Sequence, residues 1–325
     1  MEFDVITIGS ATRDVFLGDF GAKKIKSSDF STGEALELGL GSKFEVKKIV
    51  LTTGGGATNA AVTFARQGFK TACIGLAGED INGSEIISEL QKEGIGTSHF
   101  QRHSDDVTAY SVILVDESGE RTILSYKGEG QHFNAGLLNF DDLKTKWLFV
   151  SSLGGHLDML EKAVGWAVAN NVKLAINPGS KDLALGLDAL ITHLKNFSIV
   201  TMNQEEAAKL LGLPFEDESG IFKKMDELIG GIFVMTNGHA GVKVSDGKNV
   251  RSAGVPDSPV VERTGAGDAF ASAFVAEYIR SGDISKSIQL ATANASSVVA
   301  QYGAKAGILK AGDMGPWPLV KVEVK

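Results

Sequence analysis

Six short apolar runs recur along this chain of 325 residues: 3–8 (FDVITI), 71–76 (TACIGL), 147–151 (WLFVS), 172–176 (VKLAI), 197–201 (FSIVT) and 232–235 (IFVM). Helix-like stretches lie among them, at 57–67, 82–93, 157–170, 204–211 and 218–229. A strand that is apolar at successive positions, instead of every second one, has both faces out of water. Such strands alternating with amphipathic helices form a parallel sheet covered on both sides, so the chain is read as an α/β fold.

Other segments depart from this rhythm. Runs 241–245 and 249–253 flank Asp246-Gly247, a hairpin signal, and two long helices rich in small residues follow, from about 266 to 280 and from 284 to 301. Residues 12–53 carry no convincing helix, and the alternating runs 107–115 and 121–126 flank a second turn, Glu117-Ser118-Gly119-Glu120. These two β-rich excursions are expected to pair into a small sheet over the ends of the core strands, as a lid. The expected organisation is a core of residues 1–11, 54–97 and 127–325 and a lid of 12–53 and 98–126.

Composition narrows the partners. With 32 Lys+Arg against 40 Asp+Glu the net charge is -8, without the basic footprint of a nucleic-acid binder. The single cysteine, Cys73, cannot form an intramolecular disulfide and sits in an apolar run, as a small core residue in a reducing compartment. Residues 1–10 carry Glu2 and Asp4 and read as a strand, not a signal peptide. No apolar run approaches the ~20 residues that span a bilayer. The expectation is a cytoplasmic protein with a small-molecule partner and neither nucleic acid nor membrane.

Two glycine-rich turns stand out. In Thr264-Gly265-Ala266-Gly267-Asp268-Ala269-Phe270 a Gly-Ala-Gly turn opens a helix, so unpaired amides and the helix dipole converge on one spot. That is an anion hole, and Asp268 in the first turn can take a proton from a hydroxyl beside it. The plainer reading is a helix start with a favourably placed aspartate. Gly54-Gly55-Gly56-Ala57-Thr58-Asn59 also precedes a helix; its glycines let a ligand lie on the backbone, and Asn59 offers a donor and an acceptor. It lacks G-x-G-x-x-G spacing and does not follow the first strand, which argues against a nicotinamide-dependent oxidoreductase.

Taken together, the motifs resemble those of the PfkB family of carbohydrate kinases, also called the ribokinase family. Residues 54–78 (GGGATNAAVTFARQGFKTACIGLAG) match its N-terminal signature and 265–270 (GAGDAF) the core of its C-terminal one. Asn203-Gln204-Glu205-Glu206 fits its N-x-x-E motif, and Thr236-Asn237-Gly238 its nucleotide loop. The resemblance implies a ribokinase-like three-layer α/β/α core with a mostly parallel central sheet and a small β-sheet lid. It implies ATP as phosphoryl donor and Mg²⁺ as cofactor. By the same resemblance Asp268 would be the general base, and the amides of Gly265, Ala266 and Gly267 would hold the transferring phosphoryl. Asp14, Gly55 and Asn59 would bind the acceptor; Thr236, Gly238 and Asn294 would line the nucleotide pocket; Asn203 and Glu206 would organise Mg²⁺ through water. Read without the family, Gln204-Glu205-Glu206 is a solvated helix start and Asp14 a cap.

Two departures bear on specificity. Where the family usually has Asp-Thr-Thr ahead of Gly-Ala-Gly-Asp, this chain has Glu262-Arg263-Thr264. The aspartate contributes to a monovalent-cation site in many members, so Glu262 leaves K⁺ dependence open, and Arg263 would meet a phosphate or the surface. Ser151-Ser152-Leu153-Gly154-Gly155 lacks the glutamate with which ribokinase-like members hold ribose. The acceptor is therefore a sugar or, alternatively, a nucleoside; a protein that binds sugar or nucleotide without chemistry is the remaining reading. Exposed lid edges would allow a homodimer through the lids. His99 and His103 are spaced like metal ligands on a helix, but nearby Gly94 and Gly96 favour a loop. Phe64 and Phe69 read as packing, and Asn177-Pro178-Gly179 as a pocket wall or a plain strand end.

Overall fold

A computed structural model describes residues 2–30 and 33–324. Its main sheet has nine strands. Six are parallel, in the spatial order Thr71–Ile74, Phe3–Ile8, Thr145–Val150, Lys173–Ile176, Ile199–Asn203 and Ile232–Thr236. Antiparallel strands Val242–Ser245, Val250–Ala253 and Glu323–Val324 extend it on one side. The period of two along each strand divides the core between two helical layers. Ile6, Ile8, Leu148 and Val150 face a layer containing Met159, Leu160 and Val164. Val5 and Phe149 face Ala60, Phe64, Phe270 and Phe274 on the other side. Both faces are dry, which is why these strands read as unbroken apolar runs. Phe64 meets Phe69 edge to face at 6.2 Å, and Cys73 is fully buried, its thiol pushed up to about 11 by burial. Among the described residues no helix is long and apolar enough to cross a membrane.

A second, four-stranded sheet is built from Thr12–Gly18, Lys48–Gly54, Tyr110–Val115 and Arg121–Tyr126. It thus joins the two β-rich excursions. The strand expected from residue 107 begins only at Tyr110, because Asp80 captures Thr108: its carboxylate accepts from the Thr108 amide at 2.9 Å and hydroxyl at 2.6 Å. The run expected as one strand over 71–76 is interrupted at Gly75, where Phe100 packs so closely that a Cβ would lie 2.8 Å from its ring. Beyond the break Leu76–Gly78 pairs with Gln101–His103, which puts His103 on a strand. A two-stranded hairpin, Lys23–Lys26 with Glu34–Glu37, completes the excursion and was not foreseen.

Candidate active site

Parallel strands direct their carboxyl ends to one edge of the sheet, and the loops that leave this edge meet there. The first strand ends at Gly9-Ser10, and Ser10 fastens the glycine turn: its hydroxyl accepts from Gly56 N at 3.0 Å and its carbonyl from Ala57 N at 3.2 Å. Gly55, at φ +94°, lies against this backbone, and a Cβ there would sit 2.4 Å from Ser10 O. The turn opens the helix Gly56–Arg66, which carries Asn59 inward.

Asn59 Nδ2 donates to Asp268 Oδ2 at 2.8 Å, joining the two glycine turns across 209 residues. Asn59 Oδ1 is buried with no partner in the protein. An orphaned acceptor beside a carboxylate suits a ligand that brings hydroxyl groups. Asp14, on the second sheet, accepts from the Thr12 hydroxyl at 2.9 Å, and a Cβ on Gly54 would lie 1.9 Å from its Oδ2. Burial pushes the Asp14 carboxyl up, with the hydroxyls of Thr12 and Ser111 pulling it back. Burial raises Asp268 as well; the Asn59 amide opposes the shift and the Asp14 charge adds to it. Both carboxyls are thus set for proton exchange at a milder pH than a free aspartate.

At the phosphate end Gly265 caps the helix Ala266–Ser281 in a left-handed conformation, φ +80°. The Ala266 amide makes a long contact of 3.4 Å to Arg263 O, and the next amides of the first turn have no helical carbonyl ahead of them. A Cβ on Gly267 would meet nothing within 4 Å, so the site is open where a phosphate would approach. An adjoining cavity of about 130 Å³ is lined by Thr236, Gly238, Val242, Ala266, Gly267 and Phe270 with Ser296. The structure does not bring Asn294 to this cavity: its amide donates to Ala269 O at 2.9 Å and accepts from Leu309 N at 2.8 Å. Ala295 and Ser296 of the same helix line the wall instead. Arg263 turns to the loop between the strands Tyr110–Val115 and Arg121–Tyr126 of the second sheet, pairing with Glu120 at 2.5 Å.

Asn203 and Glu206 form a reciprocal cap at the start of the helix Gln204–Leu211, each side chain accepting from the other's amide at 2.8 Å. This keeps one Glu206 oxygen unused, and the Asp268 charge adds to the burial that pushes the Glu206 carboxyl up. A partly exposed carboxylate that senses the Asp268 charge fits water-mediated contact with Mg²⁺, which keeps several of its waters. For a monovalent cation the donor set fits less well. Glu262 is 0% exposed, and its two oxygens accept from Thr264 N at 2.6 Å and Gly303 N at 3.1 Å. The Arg121 charge beside it already opposes the rise that burial imposes on the Glu262 carboxyl.

Ser10 and Lys305 do not stand out from the sequence as site residues. Ser10 follows a strand end, where a serine is unremarkable. A visible sign for Lys305 is a lone cation in the small-residue stretch Tyr302-Gly303-Ala304-Lys305-Ala306-Gly307. Asn177 donates to Thr201 O at 3.1 Å, bracing neighbouring strand ends.

A family model described as pfkB family carbohydrate kinase matches residues 29–311. A ribokinase from Haemophilus influenzae is 27% identical over 300 residues, 90% of this chain and 94% of that protein. A nucleoside kinase from Methanocaldococcus jannaschii is 23% identical over 259 residues, 78% of this chain and 82% of that protein. Among solved structures, Arabidopsis thaliana ribokinase complexed with ribose and ATP superposes with a TM-score of 0.76 at 20% identity, covering 95% of this chain and 96% of that one.

Proposed function

The chain belongs to the pfkB family of carbohydrate kinases, and from that premise we propose that it transfers the γ-phosphoryl of ATP to a hydroxyl of a small sugar or sugar-like acceptor. The observation that carries this reading is the Asn59–Asp268 hydrogen bond of 2.8 Å, which sets a raised carboxyl between an acceptor loop and an anion hole. Asp14 and Asn59 orient the acceptor, and Asp268 takes its hydroxyl proton as the oxygen attacks. The amides of Gly265, Ala266 and Gly267 hold the charge on the transferring group. Thr236 and Gly238 border the nucleotide, and Asn203 with Glu206 would hold Mg²⁺, whose charge offsets that of the phosphates. The second sheet acts as the lid that excludes water.

The nucleoside kinase among the relatives favours a second reading, in which the acceptor hydroxyl belongs to a ribose bearing a base. Coupled ADP release with Mg²⁺·ATP decides between them, run against ribose, fructose, fructose phosphates, 2-keto-3-deoxygluconate, adenosine, cytidine and inosine. Turnover with a free sugar or sugar phosphate supports the first reading and turnover with nucleosides alone the second. ATP binding without turnover would move the protein to the non-catalytic class. With Glu262 already served by two amides, replacing K⁺ by tetramethylammonium is expected to change turnover by less than about twofold.

A homodimer through the lids is supported by the outer face of the second sheet, where Ile49, Leu51, Leu124 and Tyr126 are 61%, 58%, 58% and 51% exposed. Light scattering is expected to give twice the mass of one chain, and Leu51→Glu to give a monomer. A wild-type monomer would refute the assembly.

A further inference from the structure

Lys305 is 3% exposed, in the turn that follows the helix Ile284–Val299. A buried lysine needs partners, and this one has them on two separate elements. Its Nζ donates to Thr53 Oγ1 and lies 3.6 Å from Glu89 Oε1 on the helix Ile81–Lys92. The Thr53 hydroxyl in turn donates to Glu89 Oε2 at 2.7 Å, which closes a three-residue clasp. Thr53 immediately precedes Gly54-Gly55-Gly56, so the clasp holds the strand end from which the acceptor turn departs. The same turn reaches the phosphate end. Gly303 N donates to Glu262, and Ala304 packs so tightly on Gly265 that a Cβ there would lie 2.3 Å from its side chain. The Lys305 carbonyl accepts from Arg66 Nη1 at 2.8 Å, which fixes the backbone behind the charge.

We infer that Lys305 is a positioning residue of the phosphoryl-transfer site: its ammonium, held by Thr53 and Glu89, pins the end of the strand entering the acceptor turn and places a buried positive charge there. This rests on the kinase reading above. The charge of Lys305 opposes the upward shifts of both carboxyls. Burial pushes the Lys305 ammonium itself down, while Glu89, Cys73 and Asp14 hold it up. Glu93, paired with Arg66 at 2.6 Å, also senses its charge, and Asp268 is faced in addition by Glu206. Removing the ammonium therefore leaves Arg13 to oppose the rise of Asp14 and takes from Asp268 the cation that offsets the Asp14 charge, so Asp268 keeps its proton to a higher pH.

A lysine with a purely structural role would be replaceable by apolar packing once its partner is neutralised as well. The test compares wild type, Lys305→Met and the double variant Lys305→Met/Glu89→Met. The double variant is expected to recover most of the melting temperature lost in the single one. Both variants are expected to lose about tenfold or more in kcat/KM for the acceptor, with the acid limb of the pH profile displaced upward and affinity for a non-hydrolysable ATP analogue within about twofold of wild type. A double variant with wild-type stability, acid limb and kcat/KM would overturn the inference. If the single variant does not fold, the double carries the comparison. Hydrogen exchange over residues 48–59, run without substrate, reads the clasp without turnover. Faster exchange in the double variant supports it and unchanged exchange overturns it. A wild-type protein that phosphorylates no acceptor would count against the kinase reading, and the exchange result would still decide the clasp.

Discussion

Asp268→Asn is expected to lower kcat about 10²–10⁴-fold, the range that a positioned general base contributes, with affinity for a non-hydrolysable ATP analogue almost unchanged. The asparagine keeps the shape, and its carbonyl oxygen can still accept from Asn59 Nδ2, which lies 2.8 Å from the carboxylate in the native site. What it lacks is a lone pair basic enough to take the acceptor proton. The same variant should be more stable than wild type at neutral pH. Burial raises the Asp268 carboxyl above the ordinary aspartate value, so between the unfolded and folded values the native state binds more protons than the unfolded one. Stability then falls as pH rises through that window, and a neutral side chain escapes the loss. Turnover by coupled ADP release and melting at pH 7 check both parts, and an unchanged kcat would remove Asp268 from its role.

The second large effect separates the two glycines of the anion hole. Gly265→Ala meets both a left-handed backbone, φ +80°, and a Cβ position 2.3 Å from the Ala304 side chain. The turn must shift, and its amides shift with it. A loss of about 10²–10³-fold in kcat is expected, the cost of removing one such donor, together with a lower melting temperature. Gly267→Ala has open space around its Cβ. It is expected to melt within a degree or two of wild type, yet to bind the ATP analogue more weakly because the methyl occupies the phosphate approach. Isothermal titration beside thermal melting distinguishes them; equal melting temperatures for the two variants would contradict the packing described for Gly265.

Much of this was legible because it is written in short-range pattern. Runs apolar at every position predicted parallel strands dry on both faces, and glycine-turn-helix segments predicted where backbone amides would gather. The second sheet is expected from alternation over 107–115 and 121–126 and from the want of a helix over 12–53, although the separate hairpin of Lys23–Lys26 with Glu34–Glu37 is too short and too polar to register. Asn294 shows the limit of reading a position by resemblance. Its place on the helix is beside the cavity at Thr236 and Gly267, but its amide is committed to Ala269 and Leu309, and which way an amide turns depends on partners 25 and 15 residues away. Arg263 likewise found its partner far off in the sequence, in Glu120, 143 residues away. For Lys305 the local stretch shows a lone cation but nothing in it announces Thr53 or Glu89, which lie 252 and 216 residues away.

The sequence separations of these contacts also govern when the site can exist during synthesis. Asn59 and Asp268 are 209 residues apart, and Thr53 and Lys305 are 252 apart. Chain closure over such spans is slow compared with local helix and hairpin formation, and domains emerging from a ribosome fold from their N-terminal side. The strands Thr12–Gly18 and Lys48–Gly54 are translated long before the turn that secures the second of them. A nascent chain halted before residue 305 would hold an acceptor turn with no clasp and two carboxylates without their cation. The contacts that join the two glycine turns and secure the first of them are therefore completed only late in translation.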